Sequence, residues 1–414
     1  MSRPARLLLL CFLTFAAPVS GEDLLKLPIG DPARKERQAP LVLDAITDTA
    51  SGALLTPADL PAWLVDARLV LVGEGHIDMD SHRVERRVME ELHRAGRRVL
   101  IGLEMYPYPE QPWLDDWSEG KLNEEAFVSG SRWYKNWGYN WRYYRDIFLF
   151  ARDNHLRMFA INAPREVVSA VRNKGFKGLT PEEAAHIPTE IDTKSADHLR
   201  LFKASFDDEE SFHMGGSDEQ WQAMLNAQCT WDATMGWNAV APLAKDADPK
   251  AVMVVLVGAG HVQYGLGIER QVRPWFNGKV ASVIPVAVED GKKGPVKSVQ
   301  ASYANFVWGI PQEVGPLYPD LGLATHVRAD DKLLEVLDVE KDTPASAAGF
   351  RVGDVLLTMD AVVLSDKETL ARLVAEKRWG DAAAFTVRRE KDTVPVAVLL
   401  RRTVPDKAAG DKKP

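Results

Sequence analysis

Four polar positions follow directly on short β-branched runs. Leu69-Val72 leads into Gly73-Glu74-Gly75-His76, Val99-Leu103 ends on Glu104, Met158-Ile161 ends on Asn162, and Val252-Val257 leads into Gly258-Ala259-Gly260-His261. Two imidazoles and a carboxylate, His76, His261 and Glu104, make a divalent-metal ligand set, with Glu74 or a water completing the shell. A metal with an open position activates water for hydrolysis, and Glu74, when it is not a ligand, is then the catalytic general base. The same groups serve equally to hydrogen-bond a carboxylate or phosphate, or to face an iron porphyrin. A single His after a strand is more often a satisfied polar residue than a ligand. Arrival of the set after three different strands is what points to a site.

Further residues stand near these. His82, six positions after His76, reads equally as a supporting partner or as an exposed helix residue. His213, with Met214 before Gly215-Gly216, reads first as a loop residue and second as a lid group facing the site. The stretch Trp133-Tyr134, Trp137, Tyr139, Trp141, Tyr143-Tyr144 is dense in aromatics. Most of these rings read as packing residues, although aromatic faces also suit a flat ligand and a Tyr phenolate ligates haem iron. Tyr144, at the start of a helix running to Arg152, is assigned to cofactor binding together with His213, and is the first of the two to test. His155, His186 and His198 sit among surface charges and carry no assignment.

The elements that must position these groups form an α/β pattern. From about Arg68 to Val288, β-branched runs alternate with amphipathic segments, which predicts a mainly parallel sheet with flanking crossover helices and a long helical insertion that includes Gln220 to Leu243. In such a sheet the carboxyl ends of the strands share one edge, where ligands bind. The first helix is expected to be capped by Asp80 or Ser81, to present Val84, Val88 and Leu92, and to stop at Gly96.

The chain has 414 residues, enough for two domains. Its 46% apolar and 27% charged residues suit a globular protein, and 51 Lys+Arg against 59 Asp+Glu give a formal charge of -8 with no basic stripe, which argues against nucleic acid. Arg3 and Arg6 precede an apolar run, Leu7 to Ala17, ahead of Pro18-Val19-Ser20-Gly21, the pattern of a secretory signal peptide cleaved near Gly21 rather than a retained anchor. The expected location is therefore periplasmic or secreted, without a membrane span in the mature chain. Removal of the leader takes Cys11 and leaves Cys229, which reads as a buried helix residue. The expected division is 1–21 signal peptide, 22–66 N-terminal extension, 67–290 α/β domain, 291–316 linker, 317–403 second domain and 404–414 disordered tail.

Two resemblances attach to these motifs. Gly73 to His76, Gly102-Leu103-Glu104-Met105, Tyr144 to Ala151, Ile161-Asn162-Ala163-Pro164, His213-Met214, Trp231-Asp232 and Gly258 to His261 together resemble the ChaN-like haem-binding uptake family of the Tiki superfamily. The resemblance implies haem binding for iron acquisition with a Tyr ligand, mapping onto Tyr144. On the Tiki side it implies a metal-dependent hydrolase or peptidase, although Glu104 follows Leu103 one position short of that motif. The segment Pro344 to Leu356, after Leu321-Gly322-Leu323, looks like a PDZ domain of the bacterial periplasmic protease type. This implies a small β-sandwich with two helices, a peptide or protein C-terminus added as a strand beside Leu321, Gly322 and Leu323, and Leu370 on the groove helix. Asp320 disfavours a terminal carboxylate there. The expectation is thus haem or a divalent metal as cofactor and a peptide as partner, with a homodimer left open.

Overall fold

The β-branched runs that end on polar groups are strands, and their order places those ends together. The computed structural model describes residues 23–206, 217–290, 294–313 and 315–402. The expected signal peptide, His213 and the expected disordered tail lie outside the described residues. The chain divides into two units, one drawn from residues 23–131 and 144–312, the other from 132–143 and 313–402.

The first unit is an eight-stranded sheet. Its strands are β1 (Ile46–Asp48), β2 (Leu54–Leu55), β3 (Ala67–Glu74), β4 (Val99–Pro107), β5 (Arg157–Asn162), β6 (Val252–Gly258), β7 (Lys279–Ala287) and β8 (Phe306–Ile310). They lie in the order β2-β1-β8-β7-β3-β6-β4-β5, parallel from β8 to β5 and antiparallel at β1 and β2. Every residue of β6 is buried, as expected of a central strand covered by helices on both faces. Residues 46–55 and 306–310, expected as N-terminal extension and linker, are instead sheet strands. They are short runs, and the pairing of β1 with β8 that joins the β1–β2 hairpin to the sheet is between segments far apart in sequence, so nothing local marks the hairpin as part of the sheet.

The helices that matter to the site are α1 (Met79–Arg94), α2 (Arg145–Asp153), α3 (Ala196–Ala204) and α4 (Asp218–Lys245). The cap of α1 is Asp78 rather than Asp80 or Ser81. Its extended backbone lets its carboxylate accept the Asp80 N–H, and Ser81 Oγ donates to the same group. Val84, Val88 and Leu92 are buried as the spacing requires. Among the described residues, no helix is long and apolar enough to cross a membrane.

The second unit is an antiparallel sheet of β9 (Leu323–Val327), β10 (Leu334–Val339), β11 (Val355–Met359), β12 (Val362–Val363), β13 (Ala382–Arg389) and β14 (Asp392–Leu399), with α5 (Lys367–Ala375) and a shorter helix, Pro344–Ala348. Strand β9 is at the edge of the sheet. Asp354 is buried and takes a bidentate pair from Arg389, at 2.8 and 2.7 Å, plus the Arg351 N–H, which fixes the turn into β11. Residues 132–143 pack with this unit. Arg132 Nη2 is 2.6 Å from Glu368 Oε2 at the start of α5, and Tyr143 Oη accepts the Leu317 N–H at 3.0 Å while its ring stands edge-on to Tyr318. Trp133 meets Trp141 edge-to-face and donates to the Tyr139 carbonyl, the packing role expected for these rings.

Candidate metal centre at the carboxyl edge

Strands β3, β6 and β4 are adjacent, so Glu74, Gly258 and Glu104 end side by side. Pairing of β4 with β6 stops at Leu103, and a bulge follows in β4 against β5. The bulge turns the Glu104 carboxylate across the edge, where Oε2 accepts the Gly258 N–H at 2.7 Å, and Asn162 Nδ2 donates to the Glu104 carbonyl at 2.8 Å. Gly258 is required by close approach, because a Cβ there would lie 2.8 Å from His76 Cε1.

Glu74 is the hub. Its Oε1 is 2.8 Å from His76 Nδ1 and accepts from Tyr144 Oη at 2.9 Å, while its Oε2 is 2.8 Å from His82 Nδ1. His82 Nδ1 is also 2.8 Å from Glu85 Oε2. The ligand atoms of Glu74, His76 and Glu104 lie within 4.8 Å of one another, and so do those of Glu74, His82 and Glu85. His261 joins through Glu104, with Nε2 3.3 Å from Glu104 Oε1, and its Nδ1 is held by Asp232 Oδ1 on α4 with the Gln228 amide 2.9 Å away. The expected triad of His76, Glu104 and His261 is therefore brought together, with Glu104 between the two imidazoles.

Burial sets the electrostatics. Glu74, Glu85, Glu104, Asp232, His82 and His261 are each at most 3% exposed. Burial alone would raise the carboxyls, but the imidazoles of His82 and His76 hold Glu74 well below the usual carboxylate range, and His261 and His76 hold Glu104 below it. Against burial, which favours the neutral ring, Glu74 and Glu85 push His82 up to about 10, and Glu104 and Asp232 push His261 up to about 10. Glu85 is pushed up to about 8, first by burial and then by the Glu74 carboxylate. A carboxylate depressed as Glu74 is makes a weak base, so the arrangement suits a metal ligand better than the general base expected for a hydrolase. Both Glu85 Oε1 and Asp232 Oδ2 are buried with no hydrogen-bond partner among the described residues. Carboxylates and imidazoles at this spacing, with oxygen atoms lacking donors, fit a divalent cation.

Tyr144 lies deeper than its sequence position alone conveys. Its ring is fully buried at the start of α2, packed 4.2 Å from the His82 ring, and its phenol donates to Glu74, so it faces the carboxylate cluster. His76, about a tenth exposed, is the site residue nearest to solvent. His198 is not at the surface. It is buried against Arg270 Nη2 at 2.9 Å, its Nε2 is 3.9 Å from Asp232, and burial holds it down at about 4. Cys229 is buried, as expected, with its thiol pushed up to about 12 by burial first and by Asp232 second. Sequence reasoning gave no role to Glu85 or Asp232. The signal for Asp232 is a carboxylate on the stripe Leu225, Cys229, Asp232, Gly236 of α4, all of it buried. In the second unit, Leu321 and Leu370 are buried, and the Gly322 N–H is taken by Asp320 Oδ1 at 2.9 Å.

A parallel α/β sheet with carboxylates and imidazoles gathered at its carboxyl edge, joined to an antiparallel C-terminal domain, defines the class. The family described as haem-binding uptake, Tiki superfamily, ChaN matches residues 61–272, and the PDZ domain family matches residues 319–400. The first match spans half of the chain, and the chain belongs to this ChaN family of the Tiki superfamily, with a PDZ domain following it. Protein RETICULATA-RELATED 5, chloroplastic, of Arabidopsis thaliana is 23% identical over 261 residues, covering 59% of this chain and 34% of that protein. A probable periplasmic serine endoprotease DegP-like of Brucella suis biovar 1 is 30% identical over 98 residues, covering 24% of this chain and 19% of that protein. The chain thus spans well under two thirds of either relative. Among solved structures, one described as cofacial heme binding to ChaN of Campylobacter jejuni is 17% identical, covering 64% of this chain and 95% of that one, with a TM-score of 0.49.

Proposed function

We propose that this is an exported iron-acquisition protein that holds a divalent metal ion at Glu74, His76 and Glu104, with His261 as a fourth group, and docks a peptide partner through its PDZ domain. The observation that carries this reading is the mutual approach of the Glu74, His76 and Glu104 ligand atoms within 4.8 Å, with His261 Nε2 3.3 Å from Glu104, in a site where all but His76 are buried. Glu74, Glu104 and Asp232 gather negative charge in one buried cluster that needs positive charge to balance it, and uncompensated buried charge is costly. A bound dication would supply that charge and, with an open position, polarise a ligand oxygen. Asp232 orients His261, and Tyr144 and His82 orient Glu74. The PDZ partner would extend along the edge strand β9. With Asp320 already on the Gly322 N–H, an internal extended segment suits this groove better than a terminal carboxylate. The test is Mn2+ and Fe2+ titration of the mature chain, with Glu104→Gln and His76→Ala losing the ion. A wild-type chain that takes up neither ion sinks the reading.

Family membership favours a second reading, haem as the iron source. The geometry then favours His76 as the iron ligand, because Tyr144 is sealed behind Glu74. On haemin titration, Tyr144→Phe keeps the Soret change and His76→Ala loses it. The reverse result would restore Tyr144 as the ligand.

A further inference from the structure

We propose that the Glu74 carboxylate bridges two metal ions, the second held by Glu74, His82 and Glu85. This inference rests on the metal reading above and extends it to Glu85, to which the sequence gives no role, and to His82 as a ligand and not a supporting partner. The two ligand sets share one residue, Glu74, and each set is closed within 4.8 Å. The two Glu74 oxygens divide between them, Oε1 facing His76 Nδ1 and Oε2 facing His82 Nδ1, both at 2.8 Å. A carboxylate whose oxygens address two imidazoles on different sides has the form of a bridging ligand, and paired metals in such sites sit about 3.5–4 Å apart.

His82 and Glu85 are three residues apart on α1 and so project from one face of the helix, here its buried face. His82 Nε2 is 3.3 Å from the His76 carbonyl, which fixes the tautomer with the proton on Nε2 and leaves Nδ1 as the atom aimed at both carboxylates. Glu85 contributes Oε2 to His82, while its Oε1 has no hydrogen-bond partner among the described residues although the side chain is fully buried. Charge agrees with a count of two ions. With neutral imidazoles, the four buried carboxylates Glu74, Glu85, Glu104 and Asp232 match the charge of two dications, whereas with one dication protons on His82 and Glu85 must make up the difference. The mixed oxygen and imidazole donor set suits Mn2+, Fe2+ or Zn2+.

The competing arrangement is a proton shared between Glu74 and Glu85 in place of the second ion. Mn2+ serves as the probe, added to the full mature chain after chelator treatment and followed by calorimetry and low-temperature electron paramagnetic resonance. The expected result is two Mn2+ per chain with an exchange-coupled spectrum, and one Mn2+ per chain with the signal of an isolated ion in Glu85→Gln. A wild-type chain that takes one Mn2+, unchanged in Glu85→Gln, overturns the second site and leaves the single-metal reading standing. A wild-type chain that takes none overturns both. Where Glu85→Gln fails to fold, the wild-type spectrum decides alone, since an isolated-ion signal at saturation refutes the bridge.

Discussion

Replacing Gly258 with alanine tests the placement of His76 directly. The added methyl would lie 2.8 Å from His76 Cε1, 3.3 Å from Nε2 and 3.6 Å from Glu104 Oε2. Carbon atoms settle at about 3.5 Å or more, so the imidazole must retreat by roughly 0.7 Å or the end of β6 must shift. Overpacking of this kind costs about 1–3 kcal/mol of stability. The retreat also pulls Nδ1 off Glu74 Oε1, now at 2.8 Å, and away from the other ligand atoms. Loss of ligand support typically lowers metal affinity about tenfold to a hundredfold. Gly260 is the internal control, because a Cβ there meets nothing within 4 Å although it belongs to the same short motif. Calorimetric Mn2+ titration beside thermal melts of Gly258→Ala, Gly260→Ala and wild type is the assay. Equal weakening by both substitutions, or unchanged affinity in Gly258→Ala, would refute the reasoning that His76 is a ligand placed by a glycine.

Asp232→Asn removes the charge on His261 Nδ1, and we expect weaker metal binding together with a loss of about 1.5–3 kcal/mol in urea unfolding, the range for a hydrogen bond to a charged group. His198 has a folded value of about 4 against an ordinary 6.5, so the fold disfavours its protonated form. Its contribution is complete above pH 6.5 and is lost as pH falls from 6.5 towards 4, by about 3 kcal/mol for 2.5 pH units at 1.36 kcal/mol each. His198→Gln should therefore flatten the acid limb of the stability curve relative to wild type, and an identical slope in both proteins would contradict this. Gly322 has φ +72°, and a Cβ there would sit 2.4 Å from Thr343 Cβ. Gly322→Ala should lower the melting of the PDZ domain, with a backbone cost of about 1–3 kcal/mol, while Mn2+ affinity stays at the wild-type value.

The strand ends were legible because each carries its own marker. A β-branched run followed by glycine and a polar residue is readable locally, and a parallel sheet then brings Glu74, His76, Glu104 and His261 to one edge. What escaped depends on tertiary packing. His82 and Glu85 sit among charged residues on α1, and only the helix rotation against the sheet decides that these two turn inward while Arg83 and Arg86 do not. Asp232 was quoted as part of a motif, but its pairing with His261 needs α4 laid across the sheet. Tyr144 was placed near the site, yet its depth follows from packing on His82, which residue type does not report. Strands β1 and β8 pair across more than 250 residues, and no periodicity in a run of three to five residues reveals that.

The return of the chain to the C-terminal unit has a consequence for how the polypeptide is made and cut. Residues 132–143 belong with a partner that begins 170 residues later (313 minus 143), so synthesis delivers the aromatic segment well before Glu368, Leu317 and Tyr318 exist. At about 5–20 residues per second that gap is on the order of ten to thirty seconds. Through that interval Arg132 and Tyr143 lack the groups they bond in the finished protein. A truncation before residue 313 makes the interval permanent, and one that begins there removes the other half of the same packing. The PDZ domain is therefore contiguous as a sequence match but not as a folding unit, and a cut placed by homology alone severs it.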